Sequence, residues 1–187
     1  MKKAKDRFVT RYREGYTPWA HKKADFNLVN MVREWPVKPR RVLEMGCGLG
    51  TDAIWMAEQG FEVTAVDAVD IAIQMARKVP GADKVRFLVR DFMHEEIPGG
   101  PFDFVFDRGF FHSFDTERDR KAIAKKVASL LDGNGYWLSL LGSCDSPPRD
   151  SGPPMRSARD IVNAVEPFFE IKLLKPSIFG SESLIIL

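Results

Sequence analysis

From Val42 onward, short apolar runs alternate with stretches of helical periodicity. The runs at 41–45, 62–67, 84–89, 102–107, 135–141, 169–174 and 183–187 read as strands. Between them, 51–59 reads as a short helix closed by Gly60, and 70–79 as a helix stopped by Pro80-Gly81. The stretch 117–131 carries Ile123, Val127, Leu130 and Leu131 on one apolar face. This order predicts an α/β fold: a three-layer, doubly wound (Rossmann-like), seven-stranded and mostly parallel sheet with helices on both faces. Ser157 followed by Asp160, ahead of Ile161-Val162, marks the start of a helix near 157–165. The last two runs, joined by a polar turn at 176–182, are expected as an antiparallel C-terminal hairpin at the sheet edge.

Ahead of the first strand, Leu28, Met31, Val32 and Trp35 keep helical spacing until Pro36 and Pro39 end it. The expected layout is a single domain, 1–187: a cap at 1–40 with a loop at 12–19, a core at 41–141, a proline-rich loop at 142–156, and a C-terminal helix and hairpin at 157–187. The two Pro-Pro pairs of 142–156 preclude helix or central strand there. That loop leaves the C-terminal end of the fifth strand, where open parallel sheets bind ligands, so it reads equally as a linker or as a lid.

Composition narrows the partner. The chain has 187 residues, with 28 Lys+Arg against 26 Asp+Glu, a formal net charge of +2. Such a length makes one domain with one substantial site, and near-neutral charge gives no footprint for nucleic acid, so a small-molecule acceptor is expected. No uncharged apolar run approaches the ~20 residues that cross a bilayer, and Met1–Arg7 is not followed by a signal core, which predicts a cytoplasmic protein with no membrane partner. Cys47 and Cys144 form no spaced pairs, and no carboxylate set suggests magnesium, so no metal is expected.

The chemistry gathers at strand ends. Glu44-Met45-Gly46-Cys47-Gly48-Leu49-Gly50-Thr51 is a strand, a glycine-rich turn and a helix start. A dinucleotide fingerprint needs Gly where Thr51 stands, which disfavours a nicotinamide-dependent oxidoreductase. Asp67 closes the second run, Asp91-Phe92 follows the third and Asp107 closes the fourth, all on one edge of the sheet. A carboxylate at the second strand end is placed to accept hydrogen bonds from a ribose diol.

With these motifs in order, the chain resembles the class I S-adenosylmethionine-dependent methyltransferases. The resemblance implies S-adenosyl-L-methionine as cofactor, with Glu44, Gly46, Cys47, Gly48 and Gly50 at its amino acid end and Asp67 on the ribose. It also implies Ala68 and Val69 beside the adenine, Asp91 and Phe92 at the adenine amine and ring edge, and Asp107-Arg108-Gly109 as a fourth motif. Tyr16-Thr17-Pro18-Trp19, the stretch Phe106–His112 and the Gly-Ser…Pro-Pro loop most resemble the thiopurine, thiol, halide and tellurite methyltransferase group. In that group an early Trp packs on the cofactor, which implies that role for Trp19.

The resemblance makes the reaction a direct methyl transfer, served by positioning and exclusion of water. The acceptor is expected to be a soft nucleophile: a thiol, selenium, tellurium or halide. His112 and Arg108 are the catalytic candidates, Arg149 and Arg156 further electrostatic ones, and Phe110, Phe111 and Phe114 an aromatic cluster able to wall a pocket or fill core. Other readings stay open: an O- or N-methyltransferase of a small metabolite or quinone with His112 as general base, and a non-catalytic S-adenosylmethionine-binding protein.

Overall fold

The computed structural model describes residues 2–35, 40–144, 154–179 and 182–187. Two helices lead, α1 (Lys2–Arg13) and α2 (Phe26–Glu34). Then follow β1 (Arg41–Met45), α3 (Thr51–Glu58), β2 (Glu62–Asp67), α4 (Asp70–Ala76), β3 (Val85–Val89), β4 (Phe102–Arg108), α5 (Glu117–Leu130), β5 (Leu131–Gly142), α6 (Ala158–Val165), β6 (Lys175–Phe179) and β7 (Glu182–Ile186). Five strands run parallel in the order β3-β2-β1-β4-β5; β7 lies antiparallel beside β5, and β6 antiparallel beside β7. The α/β expectation with a mostly parallel sheet is met.

Successive strand residues point to opposite faces, and the two cores follow from that alternation. Val42, Val63, Ala65, Phe104 and Phe106 pack against α2, α3 and α4 through Leu28, Ile54, Met56 and Ile73. Leu43, Met45, Val66, Val105 and Leu141 pack against α5 and α6 through Ile123, Val127, Ile161 and Ala164. Helices thus cover both faces. β1 lies between β2 and β4, so a crevice opens beyond the ends of β1 and β4, where the strand order reverses.

Three expectations change. The sixth strand is β6 at Lys175–Phe179, not 169–174; Phe169, Ile171 and Leu174 are extended coil packed on the α5–α6 core. Pro176, read as a turn residue, sits in an edge strand, where a missing N–H is tolerated. The stretch 2–13 forms a helix not foreseen, holding Phe8, Val9 and Tyr12 against Val69 and Ala72 of the α4 region. Ser157 caps α6 as expected, in a reciprocal pair with Asp160. Most of the proline-rich loop lies outside the described residues, but its ends are fastened: Arg156 N donates to Gly142 O and Cys144 N to Arg156 O. Among the described residues no helix is long and apolar enough to cross a membrane.

Candidate active site

Gly46, Gly48 and Gly50 all have positive φ, at 65°, 54° and 73°. A side chain at Gly50 would put its Cβ 2.5 Å from the Phe87 ring, and one at Gly48 would reach 3.1 Å from the Tyr12 hydroxyl. Both conformation and space therefore demand glycine. Cys47 is buried in the same turn; burial, then the charges of Glu44 and Asp67, push its thiol pKa well up, so it holds no thiolate.

Glu44 stands on β1 between Ala65 of β2 and Phe106 of β4, at the centre of the sheet. It is 4 % exposed, and its Oε2 has no hydrogen-bond partner. Burial, followed by the charge of Asp52, raises its pKa well above the carboxylate range, against the pull of the Ala53 N–H.

Asp67 joins two turns. Its Oδ2 accepts from Gly48 N at 3.0 Å and its Oδ1 from Val69 N at 2.8 Å. Each oxygen keeps acceptor capacity beyond these bonds. Burial raises its pKa, while the Val69 and Gly48 N–H groups oppose the rise. At the rim, Asp91 accepts from Met93 N and pairs with His94 at 3.0 Å, and Phe92 is buried with its ring 5.5 Å from that of Phe110.

Asp107 departs from the expected row of acids. Its Oδ1 accepts from Phe110 N and Phe111 N, and its Oδ2 from Trp137 Nε1. Burial lifts its pKa to about 6 while these donors pull it down. Three donors occupy the carboxylate, and it is fully buried, in the core between β4 and β5. Phe111 is likewise fully buried, edge-on to Trp137 with centroids 5.0 Å apart, and belongs to the core rather than to a pocket wall. Phe110 and Phe114 are half-buried, and Phe110 leans on Gly46.

The N-terminal segment roofs the glycine turn. Trp19 Nε1 donates to the Tyr12 hydroxyl at 3.2 Å, and the Trp19 ring lies edge-on to Phe8 and Tyr12. Burial, with the nearby charge of Asp67, raises the Tyr12 pKa and keeps it neutral. Thr51 Oγ1 donates to His21 O, Asp25 N to Asp52 Oδ1, and Arg108 reaches both Asp25 and the Trp19 carbonyl. His21 faces the Lys23 carbonyl with Nδ1 and Asp52 with Nε2, two acceptors that call for a proton on each nitrogen. Burial opposes that charge, but Asp52 outweighs it and raises the His21 pKa.

His112 is buried, and its Nδ1 accepts from Gly142 N at 2.8 Å, tying the turn after β4 to the end of β5. Arg156 donates to Phe114 O and pairs with Asp115 at 2.9 Å, anchoring the far end of the proline-rich loop. Arg149 lies outside the described residues. Asp25 and Asp52 went unread in the sequence, and Tyr12, read as the start of the 12–19 loop, stands in α1. The i, i+4 pair Phe8/Tyr12 was the one available signal for the helix that carries Tyr12.

The thiopurine S-methyltransferase family model matches residues 3–177. The chain belongs to that family. Similar curated proteins are the probable thiol methyltransferase 2 of Arabidopsis thaliana, 31% identical over 144 residues, covering 75% of this chain and 62% of that protein. Thiocyanate methyltransferase 1 of Brassica oleracea is 30% identical over 151 residues, covering 79% of this chain and 65% of that protein. The chain thus spans less than two thirds of the length of these relatives. A solved structure described for the conversion of a disulfide bond into a thioacetal group during echinomycin biosynthesis shares the fold, with a TM-score of 0.77 at 22% identity over 97% of this chain and 89% of that one.

Proposed function

We propose that the chain transfers a methyl group from S-adenosyl-L-methionine to a small, soft, anionic acceptor such as a thiolate or a halide. The observation that carries this reading is the glycine turn bonded to Asp67, with the unpartnered Glu44 oxygen behind it. A turn that admits no Cβ, beside one buried and one half-buried carboxyl, suits a ligand with an ammonium and a ribose diol. Glu44 would take the ammonium, Asp67 the ribose, Ala68 and Val69 the adenine face, Asp91 and Phe92 its edge, and Trp19 would pack from above.

The bound cofactor supplies an electrophilic methyl on a sulfonium. The protein's task is then to align the acceptor and exclude water, which the roof of Tyr12 and Trp19 serves. Arg108 brings a cation to the end of β4, beside that roof. An imidazole whose Nδ1 accepts a backbone N–H carries its proton on Nε2, so His112 is a donor there.

Charge placement agrees: residues 1–23 hold eight Lys and Arg against two Asp and Glu, in a chain whose total is only +2. A basic cap draws small anions toward the crevice. In this reading 41–141 hold the cofactor, and 1–40, 142–156 and 157–187 shape the acceptor side. Isothermal titration with S-adenosylmethionine, followed by S-adenosylhomocysteine production over thiols, iodide, phenols and amines, tests it. Binding with turnover of thiols or iodide is expected; absent binding, or preference for phenols or amines, overturns it.

A further inference from the structure

The chain turns sharply after β4. Gly109, at a φ of 82°, sends Phe110 back across the end of β1, where its side chain stands over Gly46. A Cβ on Gly46 would lie 3.0, 3.2 and 3.4 Å from Cδ2, Cβ and Cγ of Phe110, and these are the three atoms nearest to it. Phe110 is therefore the bulk that closes the space directly above the first glycine of the turn.

The ring is braced on two sides. Phe92, after β3, and Phe114, past the turn, meet it edge-on with centroids 5.5 Å and 5.2 Å away. Each brace is itself held: Lys126 Nζ lies 5.1 Å from the centroid of the Phe92 ring, and Phe114 O accepts from Arg120 Nη1 and Arg156 Nη2. The Phe110 backbone is tied at both ends, its N–H to Asp107 Oδ1 and its O to Ser113 N. A ring packed and tethered in this way is a fixed wall rather than a flap. It nevertheless stays half-buried where Phe92 and Phe111 are buried, so it keeps surface to offer a ligand.

With Asp67 on the ribose at the β2 side and Glu44 on the ammonium at β1, the β4 side of the crevice is left for the acceptor. We infer that Phe110 sets the size limit of that acceptor: its fixed ring fills the space an aromatic ring would need, so the site admits iodide and short thiols and turns away thiols that carry a ring. This rests on the methyl-transfer reading above and adds to it the residue that enforces smallness. A fitted apolar pocket discriminates one methylene by about 10- to 200-fold, so a whole ring is well within its reach.

Methanethiol and phenylmethanethiol carry the same nucleophile and differ by one benzene ring. In each transfer the thiol proton goes to water, the thiolate sulfur bonds the methyl carbon as its bond to the sulfonium breaks, and S-adenosylhomocysteine leaves. Its production gives kcat/KM for both thiols in wild type, F110A and F110L. Wild type is expected to favour methanethiol. F110A opens a ring-sized space, and its ratio of phenylmethanethiol to methanethiol is expected to rise at least about tenfold, through the KM of the larger thiol, with a smaller change in calorimetric affinity for S-adenosylhomocysteine. F110L shifts the ratio the same way by less, and it remains readable if F110A does not fold. An unchanged ratio in the variants, a wild type that takes both thiols alike, or a loss of S-adenosylhomocysteine affinity as large as the shift overturns the inference. Wild type that methylates neither thiol nor iodide brings down the methyl-transfer reading itself, and the inference with it.

Discussion

Arg108 Nε donates to Asp25 Oδ2 at 3.0 Å, joining residues 83 positions apart. The contact ties the end of β4 to the first turn of α2, and Arg108 Nη1 reaches the Trp19 carbonyl in the same grip. The acidic side chain is fully buried and its partner nearly so, at 0% and 14% exposure. Removing one member of a buried pair commonly costs about 3 to 5 kcal/mol.

D25N keeps an oxygen to cap α2 through Asn27 N but removes the charge that Arg108 meets. Expected is faster amide hydrogen exchange over residues 17–25, with the amides of β1 unchanged, together with a lower melting temperature. Exchange that rises equally in β1 would mean a global loss and no specific role for the grip.

His21 makes a pH-dependent contribution. Its folded pKa is raised, so the stability from the His21–Asp52 pair is full below the unfolded value of about 6.5. That contribution fades as pH climbs through the raised folded pKa. The gap between the urea midpoints of wild type and H21Q is therefore expected to be widest near pH 6 and to narrow toward pH 8. A gap that widens with pH reverses the assignment.

Asp67 bonds both turns, so D67A is expected to weaken S-adenosylhomocysteine binding at least tenfold, charged hydrogen bonds being worth roughly 1.5 to 3 kcal/mol each. Calorimetric affinity equal to wild type would remove Asp67 from the ribose site.

Two glycines separate stability from binding. G50A drives a Cβ to 2.5 Å from the Phe87 ring, where overpacking costs about 1 to 3 kcal/mol beyond the strain of a positive φ. G48A meets the Tyr12 hydroxyl at 3.1 Å and Trp19 Nε1 at 4.0 Å. G50A is expected to lower the melting temperature more, and G48A to lose more ligand affinity relative to its loss of stability. Equal melting temperatures would show that Phe87 yields.

The parallel core was legible because each strand announces itself locally: Val42 and Leu43 send adjacent side chains to opposite faces, and Gly60 and Pro80 close the helices between. The tail was not, since the apolar run from Phe169 to Leu174 satisfies a strand pattern while packing as coil, and edge position rather than sequence admits Pro176. Asp67 was readable from its place after a strand. Asp107, in the equivalent place, turns inward because Trp137 on β5 supplies a donor that no local pattern reveals. Asp25 and Tyr12 have local partners, Asn27 and Trp19, but their place at the site comes from long-range ones, Arg108 and the Gly48 position, which no nearby pattern marks.

The roof over Gly48 is fastened by His21, Asp25 and the Trp19 carbonyl, none of which lies in the glycine turn beneath it. Substitutions at His21 or Asp25 therefore loosen the attachment of the roof while leaving the glycine turn's own bonds to Asp67 in place.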